Sequence, residues 1–441
     1  MRPEHLEIMM QKDFLHVLSV EDVVSRLLAC PPLACETKRL DALPRGSVLA
    51  ETLLSGEDLP PADRSGMDGY AVQAADLFGA SETNPVWLDR IGEIAIDRPP
   101  DFTLQSGQCA AIVTGGYLPE GADAVIMVEH TKPFGADVIE MRRSVAPGEY
   151  VMRRGEDAKA GHPLLPAGTV LRAQETGLLA ALGITEVPVI RRPRVSILST
   201  GDELVAPEAT PCPGHIRDVN TLALSAMIRP HAEVTAFGIA PDHLEPLTAA
   251  LKAALTGNGT PADVVFLSGG SSIGVRDLTL EALQSLGDTE ILCHGVALSP
   301  GKPLILARCG KTLVWGLPGQ VASAQVVMHV LGVPFLRHLA GHSLAASRSG
   351  VDNGRGHAFD QRLWASRQAV LSRNIASRQG REDYIRVRLD ASTPGTPQAV
   401  PVPGLSGLLR TLLDSQGVVR IPARLEGLEA GTPVNVLLFD S

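Results

Sequence analysis

The sequence predicts a multidomain α/β plus β chain: a doubly wound α/β domain, a β-rich N-terminal module and a small, β-barrel-like C-terminal domain. Three observations predict it. Between residues 191 and 341 short apolar runs alternate with helical patterns, the rhythm of a mainly parallel sheet covered on both faces. Between 87 and 143 the apolar segments are short, β-branched and bounded by turns. Beyond a linker-like stretch at 340–353, strand patterns at 384–389, 418–421 and 434–439 replace the helical ones.

The elements follow in order. Val20, Val23, Val24, Leu27 and Leu28 recur at helical spacing. Residues 41–53 alternate weakly and end in the turn-rich stretch 55–69, after which 110–114 and 124–128 read as strands. A Pro/Gly-punctuated loop at 161–169 leads into a helical pattern at 173–182. These flanking pieces are expected to return to the N-terminal helix, so that residues 1–59 with 151–190 form one discontinuous domain around a β-rich module at 60–150. In the α/β domain, 191–341, strands are expected at 195–198, 234–239, 264–267 and 313–315, with helices at 221–228, 244–255, 278–286 and 321–339. The C-terminal β domain takes 342–441.

Composition excludes several function classes. A chain of 441 residues spans about three domains at roughly 150 residues each. Its net charge of −10 opposes general nucleic-acid binding, which needs a basic stripe. No run approaches the roughly 18 apolar residues of a membrane-crossing helix, and Met1 to Gln11 lack the apolar core of a secretory signal. Six cysteines without a CxxC pair read as reduced thiols, and a cytoplasmic location is expected.

Glycine turns carry the chemistry. Ser199-Thr200-Gly201-Asp202-Glu203, Ser268-Gly269-Gly270-Ser271-Ser272-Ile273-Gly274 and Gly316-Leu317-Pro318-Gly319 each follow a predicted strand of one sheet. Strand-to-helix turns of this kind expose backbone N–H groups, which together with the helix dipole suit phosphate. Glu203, Asp242 and Asp277 fall just past strands of the same sheet, and such oxygen donors suit a hard cation like Mg²⁺. Pro300-Gly301-Lys302-Pro303 presents a lysine beside this rim. Arg378, Arg381, Arg386 and Arg388 form a basic cluster inside an acidic protein, either a solvated face or the counterpart of an anion cleft.

Taken together these strings resemble the molybdopterin molybdenumtransferase family, which includes MoeA and the gephyrin E-domain, from about Val23 to the C-terminus. The resemblance adds 63–71 (DRSGMDGYA), Val113-Thr114-Gly115-Gly116 continuing into 118–125 (LPEGADAV), Arg153-Arg154-Gly155-Glu156-Asp157, and Asp218-Val219-Asn220. It implies a four-domain, elongated homodimer that inserts molybdate into adenylylated molybdopterin with Mg²⁺ and releases AMP. Glu203, Asp242 and Asp277 would lie near Mg²⁺ and the adenylate, with Asp157 in the same catalytic set; Asp68 and Thr114 would reach across the dimer. Thr200, Gly201, Asp218, Asn220, Ser268, Gly269, Gly270, Ser272, Gly274, Pro318 and Gly319 would bind the pterin substrate. Lys302, Pro303, Ser323, Arg381 and Ser406 would bind molybdate. A molybdopterin-adenylylating protein and apo-molybdoenzymes are the expected partners, with no nucleic acid and no membrane.

Several positions depart from the family pattern. Ser299 and Gly295 stand where lysines are usual, Gln320-Val321 replaces Asn-Pro, Arg217 replaces a tyrosine, and Met152 replaces an arginine. One lost charge-assisted contact costs about 1.5–3 kcal/mol, roughly 10- to 150-fold in affinity. Arg276 or Arg308 are candidate replacements. Two alternatives to the insertase therefore stay open: a diverged paralogue that binds or carries the cofactor, and an insertase specialised for tungstate or one client enzyme.

Overall fold

The computed structural model describes residues 17–269, 273–342, 365–392 and 395–439, with the backbone alone at 273–277. Its centre is a six-stranded sheet. The strands are β1 (Arg194–Thr200), β2 (Glu233–Ala240), β3 (Val264–Gly269), β4 (Thr289–His294), β5 (Ile305–Cys309) and β6 (Thr312–Leu317), in the order β2-β1-β3-β6-β5-β4. The pairs β2-β1, β1-β3 and β3-β6 are parallel; β5 runs antiparallel to both β6 and β4. β3 and β6 are buried almost throughout, as apolar strands covered on both faces must be. One face packs α2 (Leu244–Thr256) through Leu247, Leu251 and Ala254. On the other, Trp315 is fully buried between Phe266 and Phe335, ring centroids 5.5 and 5.7 Å away. The expected helix at 321–339 forms as one run broken internally: α-helical Val321–Val327, a π-turn at Met328–Gly332, then α-helical Val333–Leu339.

The N-terminal helix Val20–Leu28 differs from expectation in its partner. Its apolar face, Val20, Val23, Val24 and Leu27, enters the core of the α/β domain rather than the flanking pieces at 151–190. Backbone bonds from Leu18 N–H to Gly295 O (3.1 Å) and from Ala297 N–H to Leu18 O (2.8 Å) lock it there, and the Arg26 guanidinium donates to Leu292 O at 2.6 Å. Periodicity identified the buried face but carries no address for it.

Two chain passes build the region before β1. Cys35–Arg39 pairs antiparallel with Glu186–Ile190, and Leu53–Leu54 with Pro163–Leu165. Inserted between them is a six-stranded sheet in the order Ala124–Met127, Gly69–Val72, Gln108–Ile112, Val86–Ile94, Val138–Met141, Thr131–Phe134. After the α/β domain, strands Ser366–Leu371, Pro433–Leu438, Gly417–Ile421, Glu382–Asp390 and Gln398–Pro401 pair in a ring, a closed five-stranded barrel. Closure covers most of the strand edges. A short strand, Leu298–Ser299, runs parallel to the start of Glu382–Asp390 and joins the barrel to the α/β domain. Among the described residues no helix is long and apolar enough to cross a membrane.

His342, just past the last helix of the α/β domain, packs its ring 3.6 Å from the point a Cβ on Gly46 would occupy. Burial, with Arg337 and His231 nearby, pulls its imidazole down to about 4 from an ordinary 6.5. The unfolded chain thus takes up a proton near pH 6.5 that the folded chain resists until about pH 4. Stability is therefore present above the unfolded value and is lost as pH falls through this window, by roughly 3 kcal/mol. His342→Leu is expected to flatten the fall of Tm between pH 6.5 and pH 4; a variant with the unchanged slope would contradict this assignment.

Candidate active site

The carboxyl ends of β1, β3 and β6 lie side by side: Ser199 stands opposite Ser268, and Ser268 opposite Leu317. Parallel strands ending in one register open a crevice beyond them. Gly269 is required at that edge, because a Cβ there would overlap the carbonyl oxygen of Thr200 on the neighbouring strand. The Ser268 turn itself passes outside the described residues at Gly270, Ser271 and Ser272, and Gly274 and Asp277 are described in their backbone alone; α3 (Ile273–Gln284) follows directly.

One side chain ties the strand ends together. Asn220, the first residue of α1 (Asn220–Ile228), is 8% exposed and donates through Nδ2 to Ser268 Oγ (2.7 Å) and to Gly319 O (2.8 Å). Its Oδ1 is buried without a hydrogen-bond donor. Asp218 is buried and accepts from the Thr221 N–H (3.2 Å) and the Thr221 hydroxyl (2.5 Å), capping the same helix. The Thr221 hydroxyl also lies 2.9 Å from Ser199 Oγ.

A carboxylate rim borders the crevice. Thr200 donates its hydroxyl to Asp242 Oδ1 at 2.6 Å, and the Asp242 N–H donates to Asp202 Oδ1 at 3.0 Å. Glu203 is exposed and folds over Gly201, its Oε2 2.9 Å from where a Cβ would stand; the Gly201 N–H bonds Ala240 O at 3.3 Å. Oxygen donors of this kind fit Mg²⁺, though no three His, Cys, Asp or Glu converge as a metal cluster among the described residues. Asp202 was missed by sequence reasoning, although it sits inside the quoted glycine string and its short carboxylate is suited to bonding a nearby backbone N–H.

The residues expected to bind molybdate fall into two groups. Pro303 lines a small crevice with Gly269, Leu317 and Pro318. Ser406 lines a cavity of about 460 Å³ between the α/β domain and the barrel, with Ser299, Pro300, Arg373, Asn374 and Arg386. The two groups are linked where the Ala322 N–H, at the start of the helix carrying buried Ser323, donates to Ser406 O at 2.9 Å. Lys302 is exposed on its turn. Arg381 is already engaged: its Nε lies 3.0 Å from Asp383 Oδ1, and that buried carboxylate also accepts from Ser377 at 2.6 Å. At Gly295 the backbone has φ +101°, a conformation a lysine would strain.

Asp68 and Thr114 pair with each other at an exposed end of the N-terminal sheet, beside the ends of two inner strands. The Thr114 N–H (2.6 Å) and hydroxyl (2.8 Å) both donate to Asp68 Oδ1, which holds this carboxyl below its ordinary value. Among the described residues neither hydrogen-bonds to the crevice. Asp157 is exposed on a neighbouring loop, anchored by its N–H to Leu59 O at 2.9 Å.

Truncating Asn220 leaves Ser268 Oγ and Gly319 O without their shared donor. Asn220→Ala is expected to lower unfolding stability in urea by about 1–3 kcal/mol, the cost of stranding buried polar groups. An unchanged midpoint would remove this amide from the account.

Comparison with known proteins agrees with this architecture along its length. The MoeA N-terminal region (domain I and II) matches residues 18–183, the probable molybdopterin binding domain matches 196–338, and the MoeA C-terminal region (domain IV) matches 368–439. The chain is 34% identical to molybdopterin molybdenumtransferase 2 of Mycobacterium tuberculosis, over 94% of this chain and 96% of that one. It is 31% identical to molybdopterin molybdenumtransferase of Bacillus subtilis, over 89% and 87%. A crystal structure of the molybdopterin biosynthesis MoeA protein from Pyrococcus horikoshii superposes with a TM-score of 0.76 at 28% identity, covering 96% of this chain and all of that one. The chain therefore belongs to the molybdopterin molybdenumtransferase family, enzymes of molybdenum cofactor biosynthesis.

Proposed function

We propose that the protein inserts molybdate into adenylylated molybdopterin and releases AMP, with Mg²⁺ held at the carboxylate rim. The observation that carries this reading is the bond from the Ala322 N–H to Ser406 O, which ties a strand-end crevice suited to phosphate to a second, basic cavity. One chain thereby holds two anionic substrates side by side, and the chemistry asks for little else: the dithiolene sulfurs are already the ligands of the incoming metal, so the protein supplies position and charge.

The geometry supports the following roles. The Ser268 turn and the Gly319 carbonyl, braced by Asn220, fix the pterin side. Asp242, oriented by Thr200, and Glu203 would hold Mg²⁺ together with Asp277, and the ion would neutralise the phosphate charge. Ser406 faces the molybdate side. Asp68, kept ionised by Thr114, serves the crevice of a second subunit in a homodimer, consistent with its exposed position and its lack of a partner in its own crevice among the described residues. A molybdopterin-adenylylating protein would deliver the substrate and apo-molybdoenzymes would receive the product.

A carrier function is the second reading, favoured by Ser299, which leaves the cavity wall without the usual lysine. AMP release separates the two. With adenylylated molybdopterin and Mg²⁺, the wild type is expected to release AMP in proportion to added molybdate. Asp242→Asn keeps the shape and the Thr200 bond but removes the charge, and should slow release by about 10- to 150-fold. Tight pterin binding with no molybdate-dependent release would establish the carrier instead.

A further inference from the structure

The Asp68–Thr114 pair stands on a turn with a freedom that must be removed. Both residues are exposed, and the next one, Gly115, has φ +84°, the left-handed region that glycine enters freely. Yet the N–H and the hydroxyl of Thr114 both reach one oxygen, Asp68 Oδ1, at 2.6 and 2.8 Å. Two bonds converging on one atom require the turn to keep a single orientation. Part of that constraint is backbone. The Gly115 N–H donates to Ser65 O at 2.8 Å, and the Ser65 N–H donates to Gly116 O at 2.9 Å. Gly116 is also tightly enclosed: a Cβ there would stand 2.9 Å from Ile112 Cγ1 and 3.0 Å from Val113 O.

The Gly115 carbonyl is held by Arg64. Its Nη1 donates to Gly115 O at 3.2 Å and its Nη2 to the Tyr117 hydroxyl at 2.7 Å, while the guanidinium carbon lies 4.2 Å from the centre of the Tyr117 ring. The two arms therefore grip the turn on either side of Gly116. No carboxylate pairs with this cation among the described residues, and its Nε is buried without an acceptor. The adjacent carboxylate, Asp63, is engaged by Arg153 at 2.7 Å, and Met152, opposite Arg64 in the strand register, brings no charge. A half-buried cation without a counter-charge is costlier than an apolar side chain of similar length. What an apolar side chain cannot supply is a planar fork that spans two acceptors.

We propose that Arg64 is the positioning residue for the Asp68–Thr114 pair: its fork, spread between Gly115 O and the Tyr117 hydroxyl, stops the glycine turn from pivoting and keeps both Thr114 donors on Asp68. This rests on the reading that Asp68 serves the crevice of a second subunit, and deepens it. Arg64 acts through Thr114 rather than on the substrate.

The test is the titration of the Asp68 carboxyl, followed by NMR in the full chain with isotope-labelled aspartate and assigned through Asp68→Asn. In the wild type Thr114 holds this carboxyl below its ordinary value. Arg64→Met should move it back up towards that value. In the same variant kcat for AMP release should fall by about 10- to 100-fold, with KM for adenylylated molybdopterin within about twofold, as expected of a displaced group. Arg64→Lys keeps the charge without the fork and should recover part of both effects. An Asp68 titration unchanged in Arg64→Met overturns the proposal, even where Tm or turnover falls, because a purely structural role would move those alone. Should Arg64→Met not fold, Tyr117→Phe decides: it removes one anchor of the fork, and hydrogen exchange of the Thr114 N–H should quicken about fivefold. Unchanged exchange overturns the proposal. A wild type that releases no AMP would count against the insertase reading, and the titration would still decide the role of Arg64.

Discussion

The amide of Asn220 is the interaction on which the site depends. Its two donor bonds join the end of β3, through Ser268, to the turn after β6, through Gly319. Both partners are otherwise loop termini, and loop termini wander unless something rigid holds them. Asn220 is rigid because Asp218 caps the helix that begins with it. Capping, helix start, amide and strand ends thus form one chain of dependence, and nearly every member is buried. A buried network of this kind is favourable only when its members find partners. The single acceptor left over, Asn220 Oδ1, stands at the centre of it.

A second constraint sets the other half of the site. The barrel is closed, and its one sheet continuation among the described residues is the parallel pairing of Leu298–Ser299 with the start of Glu382–Asp390. That pairing brings the Pro300 turn of the α/β domain against the barrel wall and fixes the cavity between them. The strand that makes this join carries Asp383 and Arg386, and Arg381 stands immediately before it. Arg381 and Asp383 form an ion pair, whereas Arg386 lines the cavity together with Arg373.

Much of this was legible in the sequence. The glycine strings after residues 198, 267 and 315 marked three strand ends, and the structure places them in register. They were readable because a close approach admits only glycine, as Gly269 against Thr200 illustrates. The mainly parallel sheet and the C-terminal strands were readable from periodicity, whereas the closure of the barrel depends on which strands pair. What escaped were facts about partners. The face of the helix Val20–Leu28 was evident, but its burial against the α/β sheet depends on long-range contacts that no local pattern encodes. The π-turn at Met328–Gly332 has a local mark that periodicity does not weigh: Pro334 follows it and has no N–H to donate back into the preceding turn. Arg381 and Arg386 looked equivalent as members of one basic cluster, because neutralisation by Asp383 is a matter of which side chain reaches it.

The most direct measurement is native mass spectrometry of the protein after incubation with adenylylated molybdopterin, Mg²⁺ and molybdate. The account predicts a bound pterin that has lost adenylate and gained molybdenum. A pterin that stays adenylylated and metal-free on the protein, under conditions in which both anions bind, would contradict it.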